Sequence, residues 1–100
     1  MLYDLTVIIP TFNEEENIEK MIVTVDTICK AHKITEEILV VDDSSSDNTA
    51  PIVKRLMSEY SFLNLIIRTQ NPGLSPSLYE GIVNAKADLV QCIDLSLIHI

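Results

Sequence analysis

Three acidic residues follow the ends of apolar runs in this sequence. Glu14, Asp43 and Asp94 each stand within a few residues of such an end. A carboxylate at the end of a buried strand can accept hydrogen bonds from a base N–H or a ribose hydroxyl. A carboxylate that faces a diphosphate can bind it only through a divalent cation that lies between the two anions. Asp43 suits the first task and Asp94 the second. For each acid taken alone, capping a helix or ordering a loop is the competing interpretation.

Four short apolar runs predict the strands that would position these acids. The runs span residues 5–9, 37–41, 63–67 and 89–93. They are rich in β-branched residues and short enough for strands buried on both faces. Helical patterns separate them, and no two-residue hairpin turn joins any pair. The alternation predicts an α/β fold with a Rossmann-like parallel sheet and helices on both faces.

Three helices are predicted between the strands, because apolar residues recur there at three- and four-residue spacing. The first is expected to begin near Glu14, with Asn13 as its cap, and to run to about Ala31. The third is expected to begin near Ser75. The residues of this third helix that are predicted to face inward are Leu78, Ile82 and Val83.

The carboxyl ends of parallel strands lie at one edge of a sheet, where ligands of open α/β folds bind. The sequence carries neither a Gly-x-Gly-x-x-Gly motif nor a Walker lysine loop, which disfavours a conventional dinucleotide or P-loop phosphate site. Phe12 could stack on a base or a sugar at this edge, and packing in the core is its competing interpretation.

Composition excludes one class of partner. Fifteen acidic and seven basic residues give a net charge of −8, which repels a phosphate backbone, so nucleic acid is not an expected partner.

The two cysteines, Cys29 and Cys92, lie far apart and lack the spacing of a zinc site. Both are predicted to be buried thiols.

Four segments, in order, resemble the GT-A domain of family 2 glycosyltransferases, and within that family the dolichyl-phosphate mannose synthases. The segments are 7–14, 40–49, 73–75 and the strand that ends at Asp94. The resemblance implies that residues 1–94 form the amino-terminal half of such a domain. It also implies a set of nucleotide-sugar contacts: Pro10, Phe12, Glu14, Val41, Asp43 and Asp94.

The resemblance further implies a reaction and a metal. Asp94 matches the first acid of the family's Asp-x-Asp pair, which coordinates Mg²⁺ or Mn²⁺, and it would be both a metal ligand and a catalytic residue. The reaction would move mannose from GDP-mannose to a polyprenyl (dolichyl) phosphate at the cytoplasmic face of a membrane, with the protein peripheral or anchored there. Phe12 replaces the family's usual tyrosine. The alternatives are a transferase that uses UDP-glucose or another nucleotide sugar, and a noncatalytic nucleotide-binding module.

The last six residues depart from the family pattern. Residues 95–100, Leu-Ser-Leu-Ile-His-Ile, are the translation of CTGTCTCTTATACACATC, the end sequence of a transposase-based sequencing adapter. Ser96 stands where the second acid of the pair belongs. Our hypothesis is that 95–100 are a non-native tail and that 1–94 are a partial domain, which would be inactive by itself.

Overall fold

Strands and helices alternate along the chain in the predicted order. A computed structural model describes residues 2–93, so Asp94 and residues 95–100 lie outside the described residues, and the predictions made for them stay predictions. The elements of the described part are β1 (Leu5–Thr11), α1 (Ile18–Ala31), β2 (Glu36–Asp42), α2 (Thr49–Met57), β3 (Leu63–Ile67), α3 (Leu74–Asn84) and β4 (Val90–Cys92).

The strands form a parallel sheet in the order β3-β2-β1-β4. β1 runs through Pro10 to Thr11, beyond the predicted end at Ile9. Proline has no N–H, and the even-numbered residues of β1 point theirs toward β4: Thr6 donates to the Leu89 carbonyl. Within the described residues the pairing of β1 with β4 ends at Ile8. The missing N–H of Pro10 therefore costs the sheet no hydrogen bond there.

Helices cover both faces of the sheet, which confirms the predicted fold class. Val7, Ile9 and Val40 belong to the core cluster formed with α1 and α2. α3 packs on the other face, over β1 and β2. A Cβ added at Gly81 would lie 2.6 Å from Ile8 Cγ2, so the glycine allows a close approach of α3 to β1.

α1 begins at Ile18 rather than near Glu14, and Asn13 does not cap it. Asn13 has φ 54°, in the left-handed region. Its side-chain oxygen accepts hydrogen bonds from the backbone N–H groups of Ser46, at 2.9 Å, and Asp47, at 3.3 Å. The predicted cap was wrong because the loop after β2 supplies donors that compete with the amides of the helix.

α3 presents a different face to the sheet from the predicted one. Its buried residues are Ser77 and Gly81, and Leu78 is half-buried. Ile82 and Val83 are 52% and 56% exposed, so the prediction that they face inward was wrong. Small residues on the Ser77 side let the helix backbone approach the sheet, and this contact outweighs the burial of the longer apolar stripe.

The two cysteines differ in burial. Cys29 packs in the core on α1, and burial raises the pKa of its thiol. Cys92 is exposed, because it lies on β4 at the edge of the described sheet, so its predicted burial was wrong.

Candidate functional site

An open cleft of about 350 Å³ lies at the carboxyl ends of β1 and β2, against the start of α3. This volume is within the ordinary range of small-molecule sites. Four of the six predicted nucleotide contacts line the cleft: Pro10, Phe12, Glu14 and Asp43. Its other lining residues are Thr11, Gly73, Leu74 and Ser77. The position at strand carboxyl ends is the one that the parallel sheet predicts.

Asp42 holds the loops behind the cleft. The residue is 1% exposed, and its carboxylate accepts three hydrogen bonds. The Thr11 hydroxyl donates at 2.6 Å, the Ser45 hydroxyl at 2.6 Å and the Ser45 backbone N–H at 2.8 Å. Because these donors and its burial keep Asp42 from a ligand, its role is to join the ends of β1 and β2.

Asp43 faces the cleft from the next position in the chain. Its Oδ2 accepts the Gly73 backbone N–H at 2.6 Å, and its Oδ1 lies 3.4 Å from Nη1 of Arg68. The side chain is 14% exposed. Two donors therefore orient this carboxylate at the cleft wall, and neither of them was predicted from the sequence. The one available signal for Arg68 was its position as a cation directly after a strand.

Phe12 lies on the surface of the cleft and not in the core. The residue is 60% exposed, although it directly follows a buried strand. An exposed aromatic ring beside a polar cleft presents a flat apolar face to a base or a sugar. Its exposure removes core packing, the competing interpretation.

The loops after β1 and β2 are joined by hydrogen bonds, one of which holds the backbone of the lining residue Glu14. The Asn13 N–H donates to the Ser45 hydroxyl at 2.8 Å, and the Glu14 N–H donates to the Thr49 hydroxyl at 2.9 Å. Asp47 accepts from the Thr49 hydroxyl and N–H. Burial acts to raise the pKa of Asp47, but hydrogen bonds, led by those from Thr49, outweigh it and lower this pKa. The side chains of Ser45 and Thr49 therefore order the loops after β1 and β2 by hydrogen bonding to backbone and side-chain groups.

The match to known families agrees with this geometry. Residues 6–98 match the model of glycosyl transferase family 2. The chain belongs to glycosyl transferase family 2. All residues that line the cleft lie within the part of the chain that matches this family.

Curated relatives in the family are longer than this chain. Dolichol-phosphate mannosyltransferase of Pyrococcus furiosus is 37% identical over 95 residues, which are 95% of this chain and 26% of the relative. The protein of the same name from Mycosarcoma maydis is 31% identical over 98 residues, which cover 94% of this chain and 33% of that protein. The chain thus spans about a quarter to a third of the length of these relatives.

Solved structures share the fold. S. aureus TarS superposes with a TM-score of 0.76 at 26% identity, over 91% of this chain and 27% of the TarS chain. The mannosyltransferase PcManGT of Pyrobaculum calidifontis, solved with GDP-Man and Mn²⁺, superposes with a TM-score of 0.73 at 29% identity. That match covers 94% of this chain and 28% of PcManGT. Both likenesses support the GT-A architecture of this family 2 chain.

One predicted contact lies away from the cleft, and another is not among the described residues. Val41 is fully buried in β2 and does not line the cleft. Asp94, the predicted metal ligand, lies outside the described residues. Within residues 2–93 no group of three or more His, Cys, Asp or Glu side chains is arranged to hold a metal ion. The carboxylate of Asp43 contacts Arg68 and the Gly73 N–H. The side chains of residues 2–93 thus do not form a metal site by themselves.

Proposed function

We propose that this chain is the donor-binding part of a glycosyltransferase that moves mannose from GDP-mannose to a polyprenyl (dolichyl) phosphate. The observation that carries the proposal is the cleft in which the exposed ring of Phe12 and the oriented carboxylate of Asp43 face one space. A ring offers stacking to a flat base, and a carboxylate accepts hydrogen bonds from base N–H groups. The two dolichol-phosphate mannosyltransferase relatives support mannose as the transferred sugar.

The chemistry asks for positioning and for charge neutralisation. The acceptor phosphate is already anionic at neutral pH, so no strong base is needed to generate the nucleophile. The departing GDP gains negative charge, and Mg²⁺ or Mn²⁺ bound through Asp94 would supply the compensating charge. We expect the 100-residue chain to bind the donor without turnover, because it spans only a quarter to a third of its relatives.

A UDP-sugar is the second candidate donor. S. aureus TarS in complex with UDP has a TM-score of 0.73, the same value as PcManGT with GDP-Man. Backbone likeness therefore does not separate the two bases. Among the solved structures, identity is 29% for PcManGT and 26% for TarS with UDP. The two dolichol-phosphate mannosyltransferase relatives, 37% and 31% identical in sequence, add to this small preference for mannose.

The proposed acceptor implies action at a lipid surface. A polyprenyl phosphate exposes its phosphate at the membrane–water interface, so we propose that the protein works at the cytoplasmic face of a membrane, peripheral to it or anchored there. Within residues 2–93 no helix is long and apolar enough to cross a bilayer.

The test is nucleotide binding by Phe12→Ala, measured by isothermal titration calorimetry with GDP, UDP and ADP, each with and without Mn²⁺. We expect GDP to bind the wild-type chain more tightly than UDP. The substitution is expected to weaken GDP binding roughly five- to tenfold, because ring stacking contributes about 1 kcal/mol. Stability should change little, since the ring is already 60% exposed.

The matched control is Tyr79→Ala, which removes an aromatic ring that is 69% exposed on α3 and does not line the cleft. Its GDP affinity should equal that of the wild type. Tighter binding of UDP than of GDP would exclude the mannose proposal in favour of the second candidate. Equal losses in both variants would remove Phe12 from the site. In Ser96→Asp, which restores the second acid of the family's Asp-x-Asp pair, GDP binding that is indifferent to Mn²⁺ would favour a noncatalytic nucleotide-binding module.

A further inference from the structure

Arg68 lies behind the wall of the cleft, where the proposed function gives it no task. Its side chain is only 9% exposed. Nη1 donates to the Asn71 carbonyl at 2.8 Å and lies 3.4 Å from Oδ1 of Asp43. A single guanidinium therefore contacts both the predicted base-binding carboxylate and the turn that leads into α3.

A second contact closes this arrangement into a ring. The other oxygen of Asp43 accepts the backbone N–H of Gly73, at 2.6 Å. Gly73 has φ 134°, and Asn71 has φ 50°, so this turn uses backbone conformations that most side chains resist. Hydrogen bonds thus connect Asp43 both to Arg68 and to the turn from Asn71 to Gly73. Asp43 and Gly73 both line the cleft.

The backbone of Arg68 is also held by hydrogen bonds. Its N–H donates to the Asp42 carbonyl at 2.7 Å, and its carbonyl accepts the hydroxyl of Ser44. On the side of α3, Glu80 Oε1 lies 3.8 Å from Nε. Nε is buried without a hydrogen-bond partner, so this ion pair is its nearest compensation.

We propose that Arg68 is a positioning residue for the donor nucleotide. It holds the carboxylate of Asp43 and the turn from Asn71 to Gly73 in one geometry, so that this cleft wall is formed before the ligand arrives. Preformed donors and acceptors bind more tightly because no ordering cost remains at binding. The inference rests on the proposed function, since the ligand is the nucleotide of that same cleft.

The planar fork of arginine suits this task. It directs several N–H groups at fixed angles, whereas a lysine ammonium is a point charge on a flexible stem. Arg68→Lys should therefore keep the charge beside Asp43 and lose the simultaneous contact with Asn71. Arg68→Met should lose both while keeping most of the apolar stem.

The first experiment measures GDP affinity by calorimetry with the full chain. We expect Arg68→Met to weaken binding about tenfold and Arg68→Lys to weaken it less. Arg55→Met is the matched control, because Arg55 is 55% exposed and pairs with Glu19 on the surface of α1. The double variant Asp43→Asn with Arg68→Met should have about the same GDP affinity as the single variant that binds GDP less tightly, because both substitutions act through the carboxylate of Asp43. Additive losses, or equal affinity of Arg68→Met and the wild type, would overturn the inference.

A second measurement needs no nucleotide. Amide hydrogen exchange by NMR should show that the Gly73 N–H is protected in the wild type and in Arg55→Met, and that it exchanges faster in Arg68→Met. Thermal melts show whether each variant is folded; if Arg68→Met is not, Arg68→Lys carries the test with intermediate exchange at Gly73. Unchanged protection of Gly73 in a folded Arg68 variant would overturn the inference. A wild-type chain that binds neither GDP nor UDP would instead refute the proposed function, and the exchange result would still decide the role of Arg68.

Discussion

The two ends of β2 carry the same kind of residue in opposite surroundings. The strand begins with Glu36 and Glu37, and at its other end lie Asp42 and the following Asp43. At the carboxyl end, Asp42 accepts three hydrogen bonds, and Asp43 contacts a backbone N–H and a guanidinium. At the amino end, one oxygen of each glutamate is buried without a hydrogen-bond partner.

The difference follows from the direction of the chain in a parallel α/β fold. Each strand leads, at its carboxyl end, into a loop and the start of a helix, where backbone N–H groups are unpaired. Each strand receives the chain, at its amino end, from the end of a helix, where unpaired carbonyls and negative potential lie. Carboxylates at the carboxyl end therefore find hydrogen-bond donors, and the candidate cleft lies at this end.

Glu36 shows the consequence at the amino end. Burial, together with the neighbouring carboxyl group of Asp26, raises its pKa to about 7. Burial also acts to raise the pKa of Asp26, but the hydrogen bond with Glu36 and the ion pair with Lys30 lower it. The opposite shifts of the two pKa values favour the proton on Glu36 and the charge on Asp26. Cys29 lies within electrostatic reach of both carboxyl groups, and Tyr60 within reach of Lys30.

The largest effect is expected at the carboxyl end, from Asp42→Ala. Removing this carboxylate leaves the Thr11 hydroxyl and the Ser45 N–H and hydroxyl without their acceptor. We expect the free energy of unfolding to fall by roughly 4 kcal/mol, because each buried donor left unpaired costs about 1–3 kcal/mol and water rescues some of them. Urea denaturation measures this change.

The control for Asp42→Ala is Asp4→Ala, which removes an exposed carboxylate that accepts one hydrogen bond, from the Thr35 N–H. Its loss should be below about 1 kcal/mol. Equal losses in the two variants would contradict the difference between the two ends of β2.

A smaller effect is expected from pH at the amino end. The folded pKa of Glu36 is about 7, above its ordinary value of 4.5, so between these values the native state holds a proton that the unfolded chain has released. The stability from this group is therefore lost as pH rises through 7. We expect the free energy of unfolding to decrease by roughly 2 to 3 kcal/mol from pH 5 to pH 8. Urea denaturation across this range measures the decrease.

Glu36→Gln isolates the contribution of that proton, because the amide cannot titrate. Its stability should vary less between pH 5 and pH 8 than that of the wild type. Glu59→Gln, at an exposed position on the surface, should keep the wild-type profile. A Glu36→Gln profile that parallels the wild type would show that another group carries the pH dependence.

The smallest effect is expected from Glu37→Gln. Oε1 of this fully buried residue accepts the Thr6 hydroxyl at 2.8 Å and the Lys86 N–H at 2.9 Å, while the Lys86 ammonium lies 3.9 Å from Oε2. Glutamine keeps the acceptor and removes a buried charge with little compensation, so stability should change by less than about 1 kcal/mol. Glu37→Ala, which removes the acceptor, should lose more in the same denaturation assay. A large loss in Glu37→Gln would mean that the charge itself stabilises the fold.

Local pattern predicted most of the fold, and it failed where distant groups compete. β3 matches its predicted bounds, because a run of branched apolar side chains allows few alternatives. The predictions that Asn13 caps α1 and that Ile82 faces inward were wrong. Each outcome depends on a partner from another part of the chain, which is the Ser46 amide for Asn13 and the β1 surface for α3. Arg68 escaped prediction for the same reason, because its partners are non-local.

The sequence by itself determined the order of the elements, the parallel sheet and the edge at which acids and an aromatic ring gather, because hydrophobic periodicity and strand direction are local properties. The family resemblance selected Asp43 as the nucleotide contact, and only the tertiary structure shows the physical difference between Asp42 and Asp43. Asp42 and Asp43 are adjacent and chemically identical, but Asp42 is the buried last residue of β2, whereas Asp43 follows the strand and lies at the cleft wall. Asp42 meets the hydroxyls of Thr11 and Ser45, whereas Asp43 meets the turn before α3.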